Sequence, residues 1–443
     1  MAINQSLKCS YYNFVARKRD GSIVIYNTRT GALSHSTDEV EAKNIESILS
    51  DPNMNSELGK LMYDLGYLVD VQLNETKKLV SEHIAQNDRT EKLHLTILPT
   101  KMCNFDCEYC FVDIDTKFVM GNKTLSAIKE YIQNKLNDNN GFKTLEVVWF
   151  GGEPLLEKGK MIEFMYELTS LCNLRGVNLK SVIMTNGYLL NPETFIELFE
   201  SGITNFQVTF DGDHSSHDLT RKLKDGSKTF AHIYTNLIKI SRRYVDLNFV
   251  INVRSNFMDS NLRTQKSLTD MFVEDFGSDD RFSLSFKPIL NINDSTKMKV
   301  CSVKKANDMR SEFIKHLNAG EAEKKSSSDV SMLLPRPITR WCNVAAKDAI
   351  IINPDGEVHV CDSCLSKSDR SVGKLREGGY IEYSSMIDEW RGMTMVEFSE
   401  SKCYNCKLLP TCFGGCHRKR KFDGGNNCPF TNEFVMKILT SVN

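Results

Sequence analysis

From residue 93 to about 290 the hydrophobic period of the chain switches back and forth. Short apolar or alternating runs at Leu93 to Leu98, Leu145 to Phe150, Ser181 to Met184, Phe206 to Phe210, Leu247 to Val253 and Phe282 to Phe286 read as strands. The longer segments between them read as helices. Strands alternating with helices demand parallel pairing, because a parallel partner is reached only through a long crossover. Parallel barrels carry their chemistry on the loops after the strands' carboxyl ends, and the distinctive residues of this chain fall there. Cys103, Cys107 and Cys110 follow the first run, Gly151, Gly152, Glu153 and Pro154 the second, and Thr185, Asn186 and Gly187 the third. Thr209, Asp211 and Gly212 close the fourth, and Arg254 the fifth.

The stretch Cys103-Asn-Phe-Asp-Cys107-Glu-Tyr-Cys110 puts three thiols on one loop. Three thiolates can converge on one iron–sulfur cluster, and a four-iron cluster takes four, so one iron would stay open to a ligand that is not protein. The competing readings are a zinc knot, which wants a fourth Cys or His close by, and cysteines scattered through a core. This Cys-x3-Cys-x2-Cys spacing, with aromatic Tyr109 before the last Cys, resembles the signature of the radical S-adenosylmethionine (SAM) enzymes. The resemblance implies that the amino and carboxylate groups of SAM chelate the open iron, and that an electron from the cluster cleaves SAM to a 5'-deoxyadenosyl radical.

It also implies an α/β fold with a partial (β/α)6 TIM barrel. The SAM pocket would comprise Tyr109, the GGEP motif from Gly151 through Glu153, Thr185, Asn186, Thr209, Asp211 and Arg254. Glycines let backbone approach a ligand closely, and Glu153 is a carboxylate suited to an ammonium group, although GGEP by itself is a turn. His217, Asp218 and Arg221, like Arg254, sit where a cation could meet the SAM carboxylate, but the favoured reading of these three is as ordinary solvated charges.

Residues 1 to 90 read as a separate module. Strand-like runs at Asn13 to Arg17, Ser22 to Tyr26 and Ala32-Leu33 are broken by Asp20-Gly21 and Thr30-Gly31, which signal hairpins. Helical patterns follow at Val40 to Leu49 and Leu58 to Leu65, the second ending at Gly66, and then an extended Tyr67 to Val69. The order resembles the winged-helix-like domains with which many peptide-modifying enzymes hold a leader peptide; a stabilising cap is the alternative. Residues 91–300 form the expected barrel and 301–335 a helix and polar linker running through Glu321 to Asp329.

Cysteine density rises beyond it: Cys342, Cys361, Cys364, Cys403, Cys406, Cys412, Cys416 and Cys428. Eight thiols match the ligand count of two four-iron clusters, with two zinc ribbons as the alternative. The spacing, with Gly356 before Cys361 and Trp390 before Cys403, resembles the SPASM domain, here 336–443. That resemblance implies one auxiliary cluster on Cys342, Cys361, Cys416 and Cys364, and a second on Cys403, Cys406, Cys412 and Cys428. Cys364 departs from the pattern and is alternatively a free thiol beside an open iron. Cys9, Cys172 and Cys301 stand alone as small buried hydrophobes, and His417 to Lys421 reads as a solvated basic loop.

Lys and Arg number 56 against 57 Asp and Glu, a net charge of -1, so no global field points to nucleic acid or membrane. The polar start and the lack of an apolar run of membrane length predict a cytoplasmic protein. With three four-iron clusters and SAM, the family resemblance implies a peptide maturase. It would abstract hydrogen from a ribosomally made precursor peptide and close a thioether or carbon–carbon crosslink, fed by a one-electron reductant of flavodoxin or ferredoxin type. Two other functions compete. A sulfatase-maturing enzyme would make formylglycine with Asp362, next to Cys361, as base. A non-catalytic iron–sulfur electron carrier would have no use for a SAM pocket.

Overall fold

The computed structural model describes residues 6–88, 91–112, 114, 118–137, 141–289, 298–322, 333–365, 367–391, 395–422 and 428–441. From residue 323 the expected linker lies outside them. The chain divides into two units. One comprises Met1–Asp88, Asp329–Ala345 and Gly392–Asn443, the other Arg89–Ser328 and Ala346–Arg391. The stretch 336–443 is thus shared between them.

The first unit opens with β1 (Leu7–Cys9), β2 (Asn13–Arg17), β3 (Ile23–Asn27) and β4 (Leu33–His35), then α1 (Glu39–Ser50), α2 (Glu57–Asp64), β5 (Leu68–Asp70) and α3 (Glu75–Asp88). Strands β2, β3 and β4 form an antiparallel sheet, and β5 pairs with β1. Gly21 and Gly31 turn the two hairpins at φ of 86° and 78°, a region L residues avoid. Asp38 and Ser56 cap α1 and α2 by accepting from Glu41 N and Gly59 N. One face of the sheet, through Ile23 and Ile25, packs with Ala42, Ile45, Ile48, Met62 and Leu68.

The second unit is built on a parallel sheet. Strands β6 (Lys92–Ile97), β7 (Thr144–Trp149), β8 (Asn178–Thr185), β9 (Asn205–Phe210), β10 (Val250–Phe257) and β11 (Phe282–Pro288) lie side by side in that order. Between and after them run α4 (Asn122–Asn137), α5 (Lys158–Arg175), α6 (Pro192–Glu200), α7 (His214–Thr220), α8 (Phe230–Arg243), α9 (Leu262–Phe276) and α10 (Val303–Ala322). Beyond β6 the sheet continues with β12 (Ala349–Ile352), parallel to β6, and antiparallel β13 (Glu357–His359), β14 (Gly373–Arg376) and β15 (Tyr380–Tyr383), followed by α11 (Met386–Arg391). The result is a mixed ten-stranded sheet in an α/β fold.

The two faces of the parallel strands differ in chemistry. Leu93, Leu95, Ile97, Leu145, Val147, Trp149, Phe206, Val208 and Phe210 are buried on one face. Helices cover it: Trp149 meets Phe164, Phe206 meets Phe195, and Phe210 meets Phe230. The alternate positions, which register places on the opposite face, include His94 beside Glu146, Gln207 beside Asn252, Thr209 beside Arg254, and Ser285 beside Arg254. A polar, partly accessible face opposite a helix-covered apolar one is what a sheet lining a cleft requires.

The chain then returns to the first unit with α12 (Met395–Glu400), α13 (Leu409–Cys412), α14 (His417–Phe422) and α15 (Asn432–Ser441). Tyr12 and Val80 share a core with Phe398, Leu409 and Phe413, so the chain's two ends build one interior. The basic run expected as a solvated loop is helix α14, with His417 and Arg418 buried. Of the lone cysteines, Cys172 is buried, whereas Cys9 and Cys301 are partly accessible and direct their thiols to Leu49 O and Asp259 Oδ1, each at 3.1 Å. Among the described residues no helix is long and apolar enough to cross a membrane.

Candidate active site

The loop carrying Cys103, Cys107 and Cys110 leaves the carboxyl end of β6 and is braced by the chain after β7. Gly152 N donates to Thr100 O at 3.1 Å, and Glu153 N donates to Met102 O at 2.7 Å. A Cβ on Gly152 would stand 2.0 Å from Met102 O, and one on Gly151, at φ 136°, would stand 2.4 Å from Thr100 O. The glycines of GGEP therefore admit the chain's own backbone, holding the residues that lead into Cys103. Glu153 is fully buried. Its carboxylate accepts from Thr185 Oγ1 at 2.6 Å, Asn186 N at 2.8 Å and Leu155 N at 3.1 Å, tying the ends of β7 and β8 together. Burial raises the Glu153 carboxyl above its ordinary value, opposed by these donors and by Arg221. Asn186 Nδ2 donates onward to Asn104 Oδ1 at 2.7 Å, so the segment after β8 grips the cysteine loop directly.

Tyr109, between Cys107 and Cys110, is the second anchor. Its hydroxyl donates to Asp211 Oδ1 at 2.7 Å and accepts from Arg221 Nη1 at 2.8 Å and Asn256 Nδ2 at 3.2 Å. Thr220 Oγ1 donates to the other Asp211 oxygen at 2.6 Å. Asp211 is 0% exposed and Arg221 7%. Burial pushes the Asp211 carboxyl up, and the Arg221 guanidinium pulls it back. For Arg221 burial opposes the charge, but Tyr109, Cys107 and Asp211 hold it firmly in place. The solvated-charge reading of Arg221 and His217 is thus overturned: His217 is 0% exposed among Phe210 and Phe230, its neutral form strongly favoured by burial. Asp218 instead accepts from Thr229 N and Phe230 N, at 3.0 and 2.9 Å, where α8 begins. The cause is α7, which folds Arg221 back under the strand ends. Sequence reading missed Thr220 and Asn256, and set Arg221 aside as a solvated charge, because neither spacing nor period tells which polar residues become buried.

Thr209 and Arg254 are register partners on the polar face. Arg254 Nε donates to Asn256 Oδ1 at 3.2 Å, and Asp362 stands near enough to favour its charge, against desolvation. The strand ends thus gather Tyr109, Asp211, Arg221, Arg254, Asn256 and Asp362.

The family model of the Radical SAM superfamily matches residues 97–256, from the end of β6 to the end of β10. The chain carries a radical SAM domain. It is 25% identical over 382 residues to the cysteine-type anaerobic sulfatase-maturating enzyme of Clostridium novyi, an alignment spanning 80% of this chain and 96% of that one. It is 21% identical over 362 residues to the serine-type anaerobic sulfatase-maturating enzyme of Klebsiella aerogenes, spanning 76% and 82%. In fold it is similar to native anSMEcpe with bound AdoMet and Cp18Cys peptide, with a TM-score of 0.58 and 21% identity over 78% of this chain and 94% of the other.

The cysteine loop of this radical SAM domain fits a cluster. Burial raises the Cys103 thiol to about 11 and the Cys107 thiol to about 12, and it raises Cys110 as well, while Arg221 lowers all three. Free thiols here stay protonated, so a metal binding them would displace their protons. Phe105 N points its N–H at Cys103 Sγ at 3.4 Å, and Arg221 Nε is buried with no hydrogen-bond partner among the described residues. A buried cation with a spare donor beside three thiols suits an anionic cluster.

The later cysteines repeat the local geometry. Cys406 accepts from Leu408 N at 3.4 Å, and Cys412 and Cys361 accept from the N–H of Gly414 and of Ser363, each two residues on. The Cys361 and Cys364 thiols hydrogen-bond to one another, so this Cys-x2-Cys pair converges in the second unit. In the first unit burial raises the Cys403 and Cys412 thiols, and Cys406 and Cys428 lie near enough to both to add to the effect.

Proposed function

We propose that this chain is a radical SAM maturase that removes a hydrogen atom from a ribosomally made peptide and closes a crosslink, a thioether or a carbon–carbon bond. The reading is carried by the buried anchor of the cysteine loop, Tyr109 against Asp211 and Arg221, combined with the polar sheet face on which Thr209 and Arg254 are register partners. Cys103, Cys107 and Cys110 would hold a four-iron cluster with an iron open to SAM, which together supply a 5'-deoxyadenosyl radical when bound. Arg221 compensates the negative charge of three thiolates without access to water. Glu153 fixes the ends of β7 and β8, so that the loop does not shift when SAM enters. Asp362 and Arg254 form a charged pair of elements on the accessible side, where a peptide proton would be handed over.

We read 1–90 as the part that holds a leader peptide, 336–443 as the SPASM segment, and its cysteines as ligands of two auxiliary clusters, one of which would take up the surplus electron released when the crosslink closes or bind a substrate thiol, while an external one-electron reductant would charge the cluster that cleaves SAM. The strand-and-helix module of residues 1–90 favours crosslinking, since it suits the holding of a leader peptide. A second reading, formylglycine formation, is favoured by Asp362 following Cys361 near Arg254.

Anaerobic incubation of reconstituted protein with SAM, dithionite and a Cys-containing peptide separates the readings. A thioether crosslink gives a product two hydrogens lighter that keeps its sulfur but no longer reacts with a thiol reagent, a carbon–carbon crosslink gives the same mass loss with the thiol still reactive, and formylglycine gives an aldehyde trapped by a hydrazide. Absence of 5'-deoxyadenosine would reject both. Replacing Cys103, Cys107 and Cys110 by Ala should lower the iron content from about twelve to about eight per chain while the auxiliary clusters remain.

A further inference from the structure

The loop carrying Cys403 and Cys406 is gripped by the N-terminal strands, within the first unit. Tyr11, in the turn between β1 and β2, donates its hydroxyl hydrogen to Asn405 O at 2.7 Å. Lys407 Nζ lies over the Phe14 ring, 5.6 Å from its centroid, and donates to Asn13 O at 2.9 Å. Thr28, the residue after β3, is fully buried, and its Oγ1 donates to Lys407 O at 2.5 Å. Tyr12 O, at 3.4 Å from that hydroxyl, is the more distant acceptor.

These contacts differ in what they orient. A trans peptide points its C=O and its N–H to opposite sides. The unit joining Lys407 to Leu408 has its carbonyl fixed by Thr28 and its N–H, on the far side, aimed at Cys406 Sγ at 3.4 Å. The unit joining Asn405 to Cys406 has its carbonyl fixed by Tyr11, and its N–H donates to Cys403 O at 3.1 Å. Thr28 therefore stands behind a hydrogen bond to a ligand sulfur, and Tyr11 behind one to a backbone oxygen. Hydrogen bonds to the sulfurs help set the potential of an iron–sulfur cluster, because they stabilise its more negative, reduced state. A donor on the carbonyl also polarises the N–H at the other end of the same peptide, and groups behind the ligands tune a metal centre in this way.

We propose that Thr28 is a positioning residue for a cluster on Cys403, Cys406 and Cys412: by fixing the Lys407–Leu408 peptide it holds the Leu408 N–H on Cys406 Sγ and raises that cluster's reduction potential. The N-terminal module then has a task besides the holding of a peptide. The inference rests on the reading of these cysteines as cluster ligands.

The experiment is a redox titration of the reconstituted full chain, followed by electron paramagnetic resonance, on wild type, Thr28→Val, Thr28→Ser, Tyr11→Phe and Cys406→Ala. The signal of this cluster is the one lost or altered in Cys406→Ala. Thr28→Val, which keeps the shape and removes the hydroxyl, should hold its full iron and disfavour reduction about tenfold, a midpoint lower by about 59 mV for one electron. Thr28→Ser should return the midpoint to that of the wild type. Tyr11→Phe, which loosens the same loop without touching the peptide aimed at sulfur, should leave the midpoint close to wild type. Where Thr28→Val does not fold, Thr28→Ala carries the same expected shift. An unmoved midpoint at full iron content, or equal shifts in the Thr28 and Tyr11 variants, would overturn the positioning role alone. If Cys406→Ala keeps the iron content and every signal of the wild type, the cluster reading falls, and the role of Thr28 with it.

Discussion

Tyr109 is the residue on which the cysteine loop turns, because one hydroxyl satisfies a carboxylate, a guanidinium and an amide at once. Tyr109→Phe leaves Asp211 and Arg221 buried with a donor and an acceptor unmet, a loss of about 1–3 kcal/mol. It should appear in chemical denaturation, together with poorer retention of the cluster on Cys103, Cys107 and Cys110. Glu153→Gln turns an acceptor of three donors into a group with its own N–H facing N–H groups, and a loss of similar size is expected. A second residue-scale expectation concerns Arg420. A Cβ on Gly414 would lie 2.2 Å from Arg420 Nη1 and 3.6 Å from Cys403 Sγ, so the glycine at φ 81° makes the space in which guanidinium and thiol meet. Arg420 donates to Phe413 O at 3.2 Å, and its charge faces Cys403, Cys412 and Cys416. A cation there favours the reduced, more negative state of a cluster on these thiols. Arg420→Gln should move that cluster's midpoint to more negative potential in a redox titration followed by electron paramagnetic resonance, and Arg420→Lys should restore part of the shift. An unchanged midpoint at full iron content would refute it.

At the scale of elements, α15 decides whether the N-terminal strands stand alone. Strand β3 is buried throughout: Ile23 and Ile25 join the α1–α2 core, while Val24 and Tyr26 are covered on the other side, with α15 packed on β2 and β3. Val435, Ile438 and Leu439, at helical spacing, are the buried positions of α15. Each contributes about 1.5–3 kcal/mol by burial. A chain ending at residue 431 should therefore expose the sheet, bind a hydrophobic dye and be cut early by protease within residues 1–88. Removing residues 1–88 outright strips Tyr12 and Val80 from the core that holds Phe398, Leu409 and Phe413. That deletion should cost iron bound near Cys403 and Cys412 along with any leader binding. Point changes at exposed positions of β2 such as Val15 are the cleaner probe of peptide binding.

For the whole molecule, acid is the vulnerability. His83 is buried with Nδ1 donating to Thr339 O at 2.8 Å and Nε2 accepting from Asn87 at 3.1 Å, and it stacks on Phe413 at 3.7 Å. Both nitrogens are committed in the neutral form, and burial holds the ring down to about 4. In the unfolded chain the imidazole takes its proton near its ordinary 6.5. The folded value is the lower one, so the stability it carries is complete above pH 6.5 and is lost as pH falls toward 4. His217 acts in the same sense in the second unit. Glu146, lowered to about 2 by His94 and Lys92 against its own burial, adds a further loss below the ordinary carboxyl range and down to that value. Melting temperature should fall steadily from pH 6.5 to 4, and His83→Phe, which keeps the stack, should flatten the first unit's part of that slope.

The amino-acid sequence determined the elements and the places of chemistry. Strand runs from Leu93 to Phe286 and hairpin signals at Gly21 and Gly31 rest on local period and local φ, which a chain carries wherever it folds. The cysteine spacing lies within one loop for the same reason. Tertiary structure decided the rest. Arg221 and Asn256 became part of the site because α7 and β10 bring them to Tyr109, and no local rule foretells which of many charges will find a buried counter-charge. Residues 349–383 extend the parallel sheet by pairing β12 with β6, and the cysteines after residue 392 share a core with residues 12 and 80. Such pairings join segments hundreds of residues apart, and their free energy comes from complementary surfaces that exist only once both segments have folded.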